Sequence, residues 1–90
     1  MTSLELKLFT DVINACIIAD EMQPIALSQP VDSPVGDKAV IAYNDWMQYI
    51  NGTCYQLDIS AISCFNAARA LTAKGLHRVK PTQVINFFHR

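Results

Sequence analysis

The strongest constraint in this sequence is the spacing of apolar residues between Leu4 and Ala19. Wound at about 100° per residue, Leu4, Leu8, Phe9, Val12, Ile13, Ala15, Cys16 and Ala19 share one broad face. Lys7, Thr10, Asp11, Asn14 and Glu21 gather opposite. Thr2 stands three residues before Glu5, the spacing of a capping box. The pattern predicts a helix from Ser3 to about Met22.

Punctuation follows. The stretch "QPIALSQPVDSPVGD", Gln23 to Asp37, holds three of the four prolines and one of the three glycines. It predicts a long irregular connection over residues 23–36. The next segment has two readings. In "YINGTCY", Asn51-Gly52 is a hairpin signal between apolar runs. As a helix, however, residues 37–51 separate almost cleanly. Ala39, Val40, Ala42, Tyr43, Trp46, Met47, Tyr49 and Ile50 lie on one side, and only Ile41 breaks the division. The helix is the better reading, with Gly52 as its left-handed terminator and Ser33-Pro34 or Asp37 as its start. Trp46, Tyr43 and Tyr49 then read as core rather than as a stacking platform, because they share the apolar side.

A third helix is expected over residues 59–74. Asp58 is its expected N-cap, Gly75 its stop, and Ala61, Ile62, Cys64, Phe65, Ala68 and Leu71 its buried face. A fourth covers residues 81–89, with Pro81 in its first turn. The expected fold is all-α, one compact four-helix domain over residues 1–90, with Trp46 and Phe65 as core anchors.

Ninety residues are near the lower end of what buries a self-sufficient core. Apolar residues are 51% of the chain and charged residues 17%, against about 25% charged in typical domains. That surplus implies an exposed apolar patch, and so a homodimer or a partner protein. The longest apolar run, "VINACIIAD", falls short of the ~20 residues a membrane span requires. With no signal peptide either, a cytoplasmic protein is expected. Cys16, Cys54 and Cys64 are odd in number and widely spaced, which predicts reduced core thiols rather than disulfides.

Charge is divided along the chain. Residues 1–58 hold eight acids and two bases, a balance of −6, whereas residues 59–90 hold five bases and no acid. An acid-free basic segment suits a polyanion, because each cation near a phosphate releases counterions. Pairing of the acidic half with the basic half explains the same division.

The closing stretch "KPTQVINFFHR" places Val84, Ile85, Phe87 and Phe88 on one helical face. Thr82, Gln83, Asn86, His89 and Arg90 fall on the other. Gln and Asn pair with adenine, and Arg with guanine. Lys80 and the free N–H groups of the first turn suit a phosphate. With the preceding alanine-rich helix, residues 59–90 look like a helix-turn-helix whose reading helix is last, although "GLHRVK" is longer than the usual 3–4-residue turn. The resemblance implies double-stranded DNA as partner and a small transcription regulator. The candidate contacts are Arg69, Lys74, Arg78, Lys80, Thr82, Gln83, Asn86, His89 and Arg90.

Catalytic signatures are missing. Gly36, Gly52 and Gly75 are isolated, so no phosphate loop forms. No ligand spacing suggests a metal or cofactor, and the acids show no paired-carboxylate pattern. Cys64 with His77 or His89 is the one conceivable nucleophile pair, and Cys64 reads as a core thiol. The expectation is a non-enzymatic DNA-binding regulator. The alternatives are a protein-binding inhibitor or adaptor, working through an exposed apolar patch and the acidic half, and a purely structural oligomer subunit.

Overall fold

The computed structural model describes residues 2–28 and 34–88. The fold is all-α, with helices α1 (Ser3–Ser28), α2 (Pro34–Leu57), α3 (Ala61–Ala73) and α4 (Pro81–Phe88), and no strand among the described residues. The capping box forms as read. Glu5 N–H donates to Thr2 Oγ1 at 3.1 Å, and Thr2 N–H donates to Glu5 Oε1 at 3.3 Å.

Three boundaries differ from the expectation. Helix α1 does not stop at Met22 but continues through Pro24 to Ser28. Pro24 removes one backbone donor, and a helix anchored by packing on its flank survives that loss. What remains of the expected connection, residues 29–33 including Ser33, lies outside the described residues.

Helix α2 starts at Pro34 and runs through Gly52 to Leu57. Gly52 is therefore neither a hairpin turn nor a terminator. The left-handed residue is Asp58, at φ 54°. Asp58 N–H donates to the Tyr55 carbonyl (3.2 Å) and Ile59 N–H to the Cys54 carbonyl (3.0 Å), the two bonds of a Schellman stop. Asp58 thus ends α2 instead of capping α3. The N-cap of α3 is Ser60, whose side chain accepts from the Ser63 N–H at 3.3 Å.

Helix α3 closes as expected at Gly75. At φ 91° this residue donates to the Thr72 carbonyl (2.8 Å), while Leu76 N–H donates to the Leu71 carbonyl (3.2 Å).

Helix α1 is the spine. Its residues Phe9, Val12, Ile13, Ala15, Cys16, Ile17 and Ala19 are buried, with Ile50 and Cys54 of α2 and Cys64, Ala67, Ala68 and Leu71 of α3 around them. Asp20 meets Arg69, and Leu6 shares a cleft with Ser60, so α3 runs parallel to α1. Helix α4 returns the other way, bringing Phe88 to Phe9 at 5.2 Å between ring centroids. Trp46 and Phe65 are half-buried and pack on the edge of this core rather than at its centre.

Some faces were misread. Thr10 is buried because its hydroxyl donates to the Leu6 carbonyl one turn back (2.7 Å). Ile62 lies opposite the buried stripe of α3 and is exposed, as is Leu4 at the start of α1.

Gly52 and Gly75 predict substitutions of opposite sign. Nothing surrounds an added Cβ at Gly52, so Gly52→Ala is expected to stabilise the helix by about 1 kcal/mol. Gly75→Ala, forced into a left-handed conformation, is expected to destabilise by about 1 kcal/mol or more. Urea denaturation of both variants measures the two signs; two losses would contradict the continuous α2.

Candidate functional site: an apolar cleft between α3 and α4

In the connection after α3, residues 74–80, the amides of Lys74, Gly75 and Leu76 bond back to α3 carbonyls, and Val79 is held from another helix. Asn14, in the middle of α1, does this with its carboxamide. Its Nδ2 donates to the Val79 carbonyl at 3.0 Å, and its Oδ1 accepts from the Val79 N–H at 2.8 Å. The pair is partly buried beside Val79, which is buried in the core. One residue further on, Lys80 N–H donates to Gln83 Oε1 at 2.8 Å, which caps α4 in place. Sequence reading had put Asn14 on the solvent face of α1. A lone Asn at the edge of an apolar stripe was the only signal for its role.

Helices α3 and α4 are each held to α1 rather than to each other. The gap between them is an apolar cleft of about 420 Å³. Phe9, Cys64 and Val84 form its floor, and Leu6, Ile85 and Phe88 its walls, with Ser60 and Ser63 at one edge. Ile85 and Phe88 are 38% and 48% exposed, so the cleft opens onto solvent through large apolar side chains.

The expected nucleic-acid contacts do not form one stripe. Arg69 Nε donates to Asp20 Oδ2 at 3.2 Å and its Nη2 to Oδ1 at 3.4 Å. Arg78 likewise meets both carboxylate oxygens of Glu21, at 3.1 and 3.3 Å, and donates to the His77 carbonyl as well. These contacts join the basic segment to the acidic first helix. The hydrogen bonds from Arg78 hold the Glu21 carboxyl below its ordinary range. A depressed carboxylate adds stability above its unfolded value and loses it as pH falls through the folded one, so this contact loosens under acid.

Lys74, Gln83 and Asn86 come together around a shallow recess of about 190 Å³ with Leu76 and Phe87. The Lys74 ammonium lies 5.5 Å from the centre of the Phe87 ring. Lys80 and Thr82 are exposed. His89 and Arg90 lie outside the described residues.

The three thiols are free and buried, and Cys54 and Cys64 touch at 3.8 Å between sulfurs. Burial is the main cause that pushes Cys16 and Cys64 up to about 12, so both stay protonated at neutral pH. His77 follows the far end of α3 from Cys64, so those two form no nucleophile pair. Among the described residues no group of three or more His, Cys, Asp or Glu side chains is placed to hold a metal ion, and no helix is long and apolar enough to cross a membrane.

Asn14→Ala is expected to destabilise by about 1–3 kcal/mol, because both polar groups of Val79 lose their partner. Hydrogen exchange provides the local readout. Val84 and Phe87 amides should lose protection before those of α3, and a uniform loss would remove Asn14 as the tether of α4.

Compared with protein-family models, curated proteins and solved structures, the chain matches none.

Proposed function

We propose that this chain is a small, non-enzymatic protein-binding module, an inhibitor or adaptor in the cytoplasm, which receives an apolar helical segment of another protein in the α3–α4 cleft. The observation that carries this reading is the cleft itself, with Ile85 and Phe88 left open at its rim. Its volume falls within the range of ligand-binding pockets, roughly 300–1,000 Å³. Its walls are apolar, with hydroxyls at one edge only. That chemistry suits an amphipathic helix whose anchors recur at i, i+3, i+4 and i+7. The engagement of Arg69 and Arg78 by Asp20 and Glu21 also favours it, since a phosphate would have to displace those carboxylates.

Peptide selection tests the reading. Random peptides displayed against the intact protein should yield ligands with apolar anchors at helical spacing. Ile85→Glu should weaken them about tenfold or more while leaving the fold intact, because Ile85 is partly exposed. Ligands indifferent to Ile85→Glu would sink the proposal.

A DNA-reading surface remains the second proposal, supported by Lys74, Gln83 and Asn86 sharing one recess and by the exposed Lys80 and Thr82. It predicts binding to duplex DNA at ~50 mM salt. Lys80→Ala should then lower the salt slope by roughly one unit, and Asn86→Ala should remove ~1–3 kcal/mol of base discrimination. Absence of any duplex binding at that salt ends this reading.

A further inference from the structure

The short connection between α2 and α3 fixes two cysteines against each other. Ile59 N–H donates to the Cys54 carbonyl at 3.0 Å, and Cys64 N–H donates to the Ser60 carbonyl at 3.1 Å. Neighbouring residues of one connection therefore hold the last turn of α2 and the first turn of α3. The two side chains converge in the core, where Cys54 and Cys64 are 3% and 1% exposed and their sulfurs lie 3.8 Å apart. Sulfurs in a disulfide are about 2.05 Å apart, so this pair has only about 1.8 Å to close, shared between two side chains.

Access separates the two thiols. Cys64 borders the floor of the α3–α4 cleft, whereas Cys54 and Cys16 do not line it. A molecule about the size of water that enters the cleft meets the Cys64 sulfur first, with Cys54 in contact with it. Core packing alone asks only for a small apolar side chain at each position.

We propose that Cys54 and Cys64 are an oxidisable dithiol, which hydrogen peroxide entering the cleft converts to a disulfide that staples the end of α2 to the start of α3. The Cys64 sulfur, as thiolate, attacks one peroxide oxygen. The O–O bond breaks, and the other oxygen takes up a proton and leaves as water, so that Cys64 becomes a sulfenic acid. The Cys54 sulfur then attacks the Cys64 sulfur. The S–O bond breaks, and a second water leaves with the Cys54 proton. Two thiols have lost two electrons to one peroxide, giving one disulfide and two waters.

Burial keeps Cys64 protonated at neutral pH, so the first step is slow and the pair answers sustained rather than trace oxidant. The bridge joins residues ten apart in the chain. Such a cross-link removes conformations from the unfolded chain, so the oxidised protein is the more stable form. It also ties the first turn of α3, and with it the Ser60 and Ser63 edge of the cleft, to α2. The proposal uses the shape of the cleft and holds whatever the cleft binds.

The test treats the folded full chain with millimolar hydrogen peroxide and maps the products by mass spectrometry. The tryptic segment 39–69 carries Cys54 and Cys64 but not Cys16, so loss of two hydrogens from it reports the bridge and separates it from methionine oxidation. Cys16 should remain a thiol, and dithiothreitol should restore the dithiol. In urea the three thiols should pair in more than one way, so selectivity for Cys54 with Cys64 reports the fold without any substitution. The oxidised protein should melt several degrees above the reduced one.

Cys54→Ala should leave Cys64 to gain oxygen without a bridge. Cys64→Ala should leave Cys54 about tenfold or more slower to react than Cys64 in the first variant, because Cys54 does not border the cleft. Equal reactivity of the two would overturn the cleft as the route. Thiols that stay reduced, a bridge to Cys16, oxygen gained at Cys64 of the unsubstituted chain with no bridge, or a lower melting temperature on oxidation would each overturn the dithiol.

Discussion

The two hydrogen bonds between Asn14 and Val79 are what the rest of the molecule depends on. Helix α4 has eight residues, too few to persist in water by itself. It follows a seven-residue connection tied back to α3 at its start and to Asn14 at Val79. By giving that backbone both a donor and an acceptor from the middle of α1, Asn14 sets where α4 begins. Val84 then reaches the core, and Phe88 packs edge-on against Phe9. The apolar cleft is a consequence of this arrangement. Two helices tethered separately to a third leave a space between them, and their inner side chains line it.

Electrostatics orients the same elements without holding them together. Arg69 and Arg78 meet Asp20 and Glu21 near the middle of α1, where α3 ends and the connection to α4 starts. All four side chains are partly or largely exposed to solvent, so each pair contributes little stability. Their importance lies in what they remove from the surface. A basic segment that is acid-free in sequence is neutralised in space at two of its cations. Lys74 and Lys80 are left as the outward charges of the described C-terminal segment. The apolar surplus is divided as well, with part of it opening the cleft and part standing on the outer face of α2.

Much of the fold was legible because it rests on local rules. The 3.6-residue period of α1, the Thr2–Glu5 capping box, Pro81 at the start of α4 and left-handed Gly75 depend on near neighbours alone. The errors have one origin. Pro24 and Gly52 look like breaks by intrinsic preference, and both are carried inside long helices because α1 and α2 pack along each other. Asp58 was assigned to the wrong helix because an Asp is a good N-cap and also tolerates a left-handed stop; only the chain direction after it decides.

The sequence by itself determined the helical class, the buried stripe of α1, the burial of all three cysteines and the opposition of an acidic half to a basic half. Each of these follows from residue type and spacing within a few turns. Tertiary structure alone decided that Asn14, sixty-five residues from Val79, turns inward, that Arg69 and Arg78 meet carboxylates, and that Ile85 and Phe88 border an open cleft rather than closing a core. Helical periodicity says which residues share a face. Which of several faces another helix covers depends on contacts between residues far apart in the chain, and these exist only once α3 and α4 have settled on α1.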